Sequence, residues 1–450
     1  MLRRLEYINY FGGAHMQHLS QEFVSQALFS SIDSLLEHRD VFLNNPKSDF
    51  TRTKKISFEK TILFPMVAGS DDVANEILDL FGEDGMSLPS SIIQRRNQIK
   101  ASAFMELFHH FTNKIPLSKT INGYLIACMD GSRLNLPYNP SDSFTFCNCI
   151  HGRKGINQVH LNLLYDPLND VFLDLEIQGI HEMDEISAFS HLLDSQAQKG
   201  APLNTIYLAD RGYASYNVFA HAIHNNQLFL IRVPKPFAEG LCSSDPHWLE
   251  GDRFDKEIYV HVGRRRTKKN QQLQNYHCIP SRRNYDYLKE GSDQTECLKL
   301  RVLKFPISED TYEYIVTNLP QYAFSLPTIK ELYHLRWNEE TAFRYLKYAG
   351  NMVRLHSRKW NFLIQEIYAK LVMYNFTSFL MAAVDSKVKK TIKHAYVINH
   401  TQAQKLSISF LKGKVKKVLD LMQKFLVPVR SGRRFERNLR SQSADTLQYR

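Results

Sequence analysis

Residues 333–347 read Tyr333-His334-Leu335-Arg336-Trp337-Asn338-Glu339-Glu340-Thr341-Ala342-Phe343-Arg344-Tyr345-Leu346-Lys347. The run lacks Gly and Pro and follows Leu326-Pro327-Thr328, with Thr328 and Glu331 at capping-box spacing, so it predicts a helix opening near residue 328. At ~100° per residue, Tyr333, Arg336, Glu340 and Lys347 fall at about 0°, 300°, 340° and 320°, one stripe about 60° wide. A carboxylate flanked by a phenol, a guanidinium and an ammonium suits a metal ion and the phosphates around it. Taken alone, the same stripe also describes an ordinary wet helix face.

Two further carboxylates extend the pattern. Tyr124 to Met129 is a short apolar run that stops at Asp130-Gly131, and Ile206 to Ala209 is another that stops at Asp210-Arg211-Gly212. Between them, strands are predicted at Val159 to Tyr165 and Val171 to Ile177, joined by the turn Asp166-Pro167-Leu168-Asn169-Asp170. A helix face follows at Ile186, Phe189, Leu192 and Leu193. After Asp210 come a helix across Tyr216 to Ile223 and a strand across Leu228 to Val233. The order is β-β-β-α-β-α-β, with an aspartate at the end of the first and fourth strands. Sites in α/β sheets gather at the carboxyl ends of strands, so Asp130 and Asp210 are expected to converge. With Glu340 they make an oxygen-only set that suits Mg²⁺ or Mn²⁺. Two such ions can activate a nucleophile and stabilise the leaving oxygen of a phosphodiester. The plain alternative is that each Asp-Gly is a turn.

Outward from this centre the character changes. Residues 235 to about 320 alternate at Leu298, Leu300, Val302 and at Tyr312, Tyr314, Val316, which predicts a β-rich insertion; it carries the basic run Arg264, Arg265, Arg266, Lys268, Lys269. Residues 17 to about 115 read as helical. Val73, Ile77, Leu80 and Phe81 form one face, Gly82-Glu83-Asp84-Gly85 breaks it, and Pro89 opens a helix with Arg95 and Arg96, an order compatible with helix-turn-helix. Leu371 to Val384 is too short and too polar to span a bilayer and predicts a buried core helix. The divisions expected are a helical DNA-binding region over 1–118, a catalytic region over 119–350 and C-terminal helices with a basic tail over 351–450.

The chain has 450 residues, 43% hydrophobic and 23% charged, the balance of a globular protein. Its net charge is +11, and residues 411–450 hold eleven Lys/Arg against three acids, +8 of that total. Such clustering favours a polyanion, nucleic acid above all, or else marks a solvated tail. Six scattered cysteines without a C-x-x-C pair predict reduced thiols; Cys147, Cys149 and His151 lack a second pair at zinc spacing. No apolar leader follows Met1, and Met16 is a second candidate start, so a cytoplasmic protein with no membrane association is expected.

Tyr333-x2-Arg336-x3-Glu340-x6-Lys347 resembles, without a gap, the Y-R-E-K motif of DDE transposases of the insertion sequence four family. Asp130-Gly131-Ser132 and Asp210-Arg211-Gly212-Tyr213 resemble the two aspartate motifs, and the β-rich stretch before Glu340 resembles the family's insertion. The resemblance covers about Tyr124 to Met373. It implies a ribonuclease-H-like α/β domain, a mixed sheet with a β-rich insertion flanked by N-terminal and C-terminal helical regions. It implies Asp130, Asp210 and Glu340 as catalytic ligands of two Mg²⁺ ions, Mn²⁺ being an alternative. Tyr333, Arg336 and Lys347 would contact DNA near the cut, and the Arg264, Arg265, Arg266 cluster would add backbone contacts. The partners implied are double-stranded transposon ends and target DNA, within a homodimeric synaptic complex. The reaction implied is cleavage at inverted-repeat ends and transfer of the 3′ hydroxyl. A nuclease without strand transfer and a domesticated DNA-binding protein are the alternatives. The family holds a flipped base with an aromatic of the insertion; here Tyr312 and Tyr314 stand near that place and Trp248 lies far upstream. Trp337 and Trp360 are expected in the core.

Overall fold

In a computed structural model, residues 19–428 are described apart from 53–54, 70, 84, 86, 149–154, 243–244, 310 and 385–395. The basic tail from residue 429, Cys149 and His151 therefore lie outside the described residues. Six helices come first: α1 Gln21–Glu37, α2 Arg39–Phe42, α3 Phe58–Val67, α4 Val73–Phe81, α5 Pro89–Gln98 and α6 Ser102–Lys114. Then follow β1 Leu125–Leu136, β2 Phe146–Cys147, β3 Ile156–Asp166, β4 Val171–Gly179, α7 Glu185–Gln198, β5 Thr205–Ala209, α8 Tyr216–His224 and β6 Leu228–Arg232. The insertion holds α9 Lys235–Cys242, α10 Pro246–Glu250, β7 Phe254–Gly263, α11 Lys268–Gln271, β8 Tyr276–Cys278, β9 Thr295–Ser308 and β10 Thr311–Thr317. The chain closes with α12 Leu326–His334, α13 Asn338–Arg344, α14 Trp360–Ala383, β11 Tyr396–Ile398, α15 His400–Leu411, α16 Val418–Met422 and β12 Leu426–Pro428.

The centre is a mixed sheet in which β4-β3-β1 are antiparallel and β5 and β6 run parallel to β1. That β4-β3-β1-β5-β6 order is the ribonuclease-H-like sheet expected from the sequence. The insertion is not a separate body, because β10 pairs antiparallel with β6 and the sheet continues through β9 and β7 to β8. Alternation sets the two faces. Ile126, Cys128, Ile206, Leu208, Leu230 and Ile315 pack toward α12. Ala127, Met129, Tyr207, Ala209, Phe229 and Ile231 pack toward α7 and α8. A third core joins α1, α3 and α6 to β3, β4 and α14.

Several expectations change. β1 does not end at Asp130-Gly131 but runs on to Leu136, with Leu134 and Leu136 buried. Gly131 is not there for a turn: a Cβ would overlap His160 Nε2 and come within 2.7 Å of Glu185 Oε1. The cap of α12 is Ser325, whose Oγ accepts the Thr328 N–H, rather than Thr328 with Glu331. The helix after it is not continuous, since a 3₁₀ turn over Leu335–Trp337 precedes α13 and a π turn over Tyr345–Ala349 follows it. Trp337 and Trp360 are 47% and 38% exposed rather than core, while Trp248 is buried against Phe254 and Tyr314.

The arginines of α5 also face inward. Arg96 donates to Glu366 Oε1 at 2.9 Å, Gln365 Oε1 at 3.2 Å and Phe362 O at 3.2 Å, all on α14. Arg95 lies over the Phe50 ring and donates to Gln98. Arg96 ties the N-terminal helices to α14, which is buried along nearly its whole length, as expected of the apolar run there. All five described cysteines are free thiols. Among the described residues no helix is long and apolar enough to cross a membrane.

Candidate active site

Parallel pairing of β1 with β5 ends at Met129 opposite Ala209, so Asp130 and Asp210 are the next residues on neighbouring strands. Beyond that point β1 continues alone with β3, Asp130 facing Leu163, while the chain after Asp210 turns into a 3₁₀ segment. This divergence opens a notch at the strand ends, with an aspartate on each lip.

Asp130 Oδ1 accepts the Gly131 N–H at 2.9 Å. Burial pushes the Asp130 carboxyl up to about 6, against that N–H and Arg336, while Glu185 and Asp210 add to the rise. Asp210 Oδ1 accepts the Tyr333 hydroxyl at 3.2 Å and lies 3.8 Å from Arg232 Nη1. Burial raises the Tyr333 phenol, and the Asp210 charge raises it further, so it stays a donor. Arg336 is 5% exposed; burial alone would lower it, but Tyr333, Asp210 and Asp130 hold it raised. Lys347 Nζ donates to Ser132 Oγ at 2.6 Å and Arg133 O at 2.9 Å, beside Asp130. Tyr333, Arg336 and Lys347 thus gather on the two aspartates.

Glu340 is placed differently from these three, on the exposed side of α13. Its neighbour Glu339 is fully buried, and its charge interacts with Asp130 and Arg336. The broken helix supplies the reason. Three residues of 3₁₀ turn advance about 120° each rather than about 100°, which rotates α13 forward by about 60°. Glu339 then takes the angle expected of Arg336, and Glu340 swings beyond the stripe. The wider π turn advances less per residue and returns Lys347 to the site.

Sequence reasoning also missed Glu185, His160 and Tyr213. His160, in β3, places Nε2 2.9 Å from Glu185 Oε1, within ion-pair range but off the line of a hydrogen bond. Tyr213 is buried with its hydroxyl unpartnered, among the charges of Glu185, Asp130, Glu339 and Asp210. Spacing gave no signal for Glu185 and His160, on α7 and β3, and Tyr213 stood in the motif at Asp210 without a role of its own. The notch gathers four carboxylates whose donor chemistry, oxygen only, fits a hard divalent cation. Both Glu339 oxygens lack a hydrogen-bond partner, as does Arg336 Nε. Among the described residues no three His, Cys, Asp or Glu groups stand at metal-holding distance.

The insertion's basic run is divided in its use. Arg264 donates to Arg283 O at 2.8 Å and Tyr285 O at 3.0 Å, fastening a loop of the insertion. Arg265 pairs with Asp293 at 3.1 Å, and Arg266 is exposed. Tyr312 donates to Asp252 Oδ1 at 2.6 Å, and Tyr314 is buried against Trp248.

The model of the Transposase DDE domain matches residues 121–376, from the turn before β1 into α14. No curated protein matches the chain. Among solved structures, a piggyBac transposase synaptic complex with hairpin DNA, determined by cryo-EM, is similar at 9% identity, with 92% of this chain and 85% of that chain covered and a TM-score of 0.41. The matched span is more than half of the chain and contains Asp130, Asp210, the insertion and the whole of α12 and α13, so the protein belongs to the DDE transposase family and is a DNA transposase.

Proposed function

We propose that the protein cuts the phosphodiester at the inverted-repeat ends of its own element and joins the 3′ hydroxyl to target DNA, as a member of the Y-R-E-K group. The observation that carries this is the notch: Asp130 and Asp210 at adjacent positions on diverging strands, with Tyr333, Arg336 and Lys347 turned onto them. Asp130, Asp210 and Glu340 are the catalytic carboxylates, and Mg²⁺ or Mn²⁺, as a pair of ions, is the cofactor. When bound, the ions would activate the attacking oxygen and stabilise the leaving one. Arg336, against the Tyr333 and Trp337 rings, grips a non-bridging phosphate oxygen beside Asp130 and Asp210. Tyr333 holds Asp210 in orientation, and Lys347 fixes the β1 backbone after Asp130 while presenting charge to the same phosphate. Double-stranded DNA is the partner, in a homodimeric synaptic complex, with Arg265, Arg266 and the basic tail contributing backbone contacts and Arg264 holding their loop. The cytoplasm is the proposed compartment.

The test incubates purified protein with DNA carrying the sequences that flank its gene, in Mg²⁺. Nicked ends and joined products are expected from the parent. Asp130→Ala, Asp210→Ala and Glu340→Ala are expected to retain DNA binding and lose both products. Near-normal cleavage by one of these variants would remove that residue from the centre, and free ends without joined DNA would favour a nuclease.

A further inference from the structure

We propose that Glu339 is an additional carboxylate ligand of the cation at Asp130, so that α13 offers the metal centre two adjacent glutamates rather than one. The inference rests on the metal-dependent reading of the notch and deepens it.

Three observations carry it. Glu339 is 0% exposed and lies on the side of α13 that faces β1, where it interacts with Asp130 and Arg336. Neither of its oxygens has a hydrogen-bond partner, although a buried carboxylate is ordinarily well bonded. Arg336, the cation whose charge reaches it, is not bonded to it, and the Arg336 Nε is itself unpartnered. A buried carboxyl with neither oxygen bonded is costly until a donor or a cation meets it. Tyr213, buried in the same notch, also has an unpartnered hydroxyl, which feels the charges of Glu185, Asp130, Glu339 and Asp210. An oxygen-binding divalent cation satisfies these groups together. Glu339 and Glu340 are about 100° apart around α13, which puts the first on the side of β1 and the second on the exposed side.

The experiment is Mn²⁺ binding to the full-length protein without DNA, read from loss of the free-ion electron paramagnetic resonance signal, beside melting temperatures in EDTA and in Mn²⁺. Glu339→Gln keeps the shape and removes the charge; it is expected to weaken Mn²⁺ binding about tenfold or more. Glu339→Leu is expected to melt at or above the parent in EDTA, because an apolar side chain replaces an unpaired buried carboxylate, and to lose the rise in melting temperature that Mn²⁺ gives the parent. A residue with only a structural role would do the reverse, lowering the metal-free melting temperature and leaving the Mn²⁺ response intact. Asp130→Asn separates failure of the inference from failure of the site. If it weakens binding while both Glu339 variants bind as the parent does, the Glu339 inference is overturned and the site stands. If Asp130→Asn and Glu339→Gln both bind as the parent does, the metal site itself is misplaced. If only Glu339→Gln weakens binding, its cation is not the one at Asp130, and the inference again fails.

Discussion

Removing the charge of Asp130 should stabilise the metal-free protein, and the gain should grow with pH. Burial pushes this carboxyl up to about 6 from an ordinary 3.8. The folded state therefore holds a proton that the unfolded state has lost, and stability falls as pH rises between those values. The contribution is fully present below pH ~3.8 and is lost as pH rises through about 6. At ~1.4 kcal/mol per unit, the penalty of the ionised form is about 1 kcal/mol at pH 4.5 and about 3 kcal/mol above pH 7, an upper bound because the site is partly open to water. Asp130→Asn escapes the penalty and keeps an Oδ1 acceptor for the Gly131 N–H, which lies 2.9 Å away. Melting in EDTA is the assay. The variant should exceed the parent slightly at pH 4.5 and by a few degrees at pH 7.5. Saturating Mg²⁺ should reverse the order at pH 7.5, because only the parent gains from the ion. A variant no more stable than the parent at pH 7.5, or an advantage unchanged between the two pH values, would refute the idea that ionised Asp130 is strained until a cation arrives.

Arg336→Lys should lower cleavage and joining at least tenfold with end affinity nearly unchanged, because an ammonium cannot grip a phosphate through two parallel bonds; gel shift beside product yield checks it. Deleting residues 429–450 should flatten the plot of log affinity against log salt by about 0.9 for each phosphate that the tail neutralises in the parent, measured by fluorescence anisotropy. Arg96→Met should destabilise the fold by about 3 kcal/mol, because it strips the buried Glu366 of its guanidinium partner and leaves it only His356. Burial alone would raise Glu366, but Arg96 and His356 hold it down at about 2, so this support is present above pH ~4.5 and is lost as pH falls toward 2. Denaturation from pH 7 to 3 should show the parent converging on the variant.

The strand order and the two aspartates were legible because they rest on local signals. Val171 and its neighbours alternate, and Asp166 accepts the Leu168 and Asn169 N–H groups in the hairpin turn that its sequence predicts. Asp-Gly at 130 misled as a strand end because the need for glycine comes from His160 and Glu185, which are distant in sequence. Arg95 and Arg96 looked like the basic face of a recognition helix; the partners of Arg96 on α14 lie some 270 residues further on, and Arg95 turns onto the Phe50 ring and Gln98. The helix stripe predicted Tyr333, Arg336 and Lys347 at the site but placed Glu340 with them on the assumption of even winding. Nothing between residues 335 and 349 announces a 3₁₀ or a π turn, for neither Gly nor Pro is present in the run up to Tyr348.

The insertion bears on the chemistry through the sheet it prolongs. β10, its returning strand, pairs Ile315 with Arg232 at the end of β6. Arg232 then stands between Glu313 of β10, 3.3 Å from its Nε, and Asp210 of the notch, 3.8 Å from its Nη1. Burial raises Glu313, and Arg232 opposes that rise. Asp210 is thus held from one side by Tyr333 of α12 and from the other by an arginine whose orientation depends on the insertion. At the far side of β10, β9 brings the buried Arg301, which grips Asp255 of β7 through two bonds of 2.6 and 2.7 Å and Phe324 O, just before α12, at 2.8 Å. One guanidinium therefore couples the insertion's strands to the start of the helix that carries Tyr333. Both supports of Asp210 thus lead back to the insertion, through Arg232 along the sheet and through Arg301 along α12. Asp210 is the residue of the notch to which both contacts of the insertion lead.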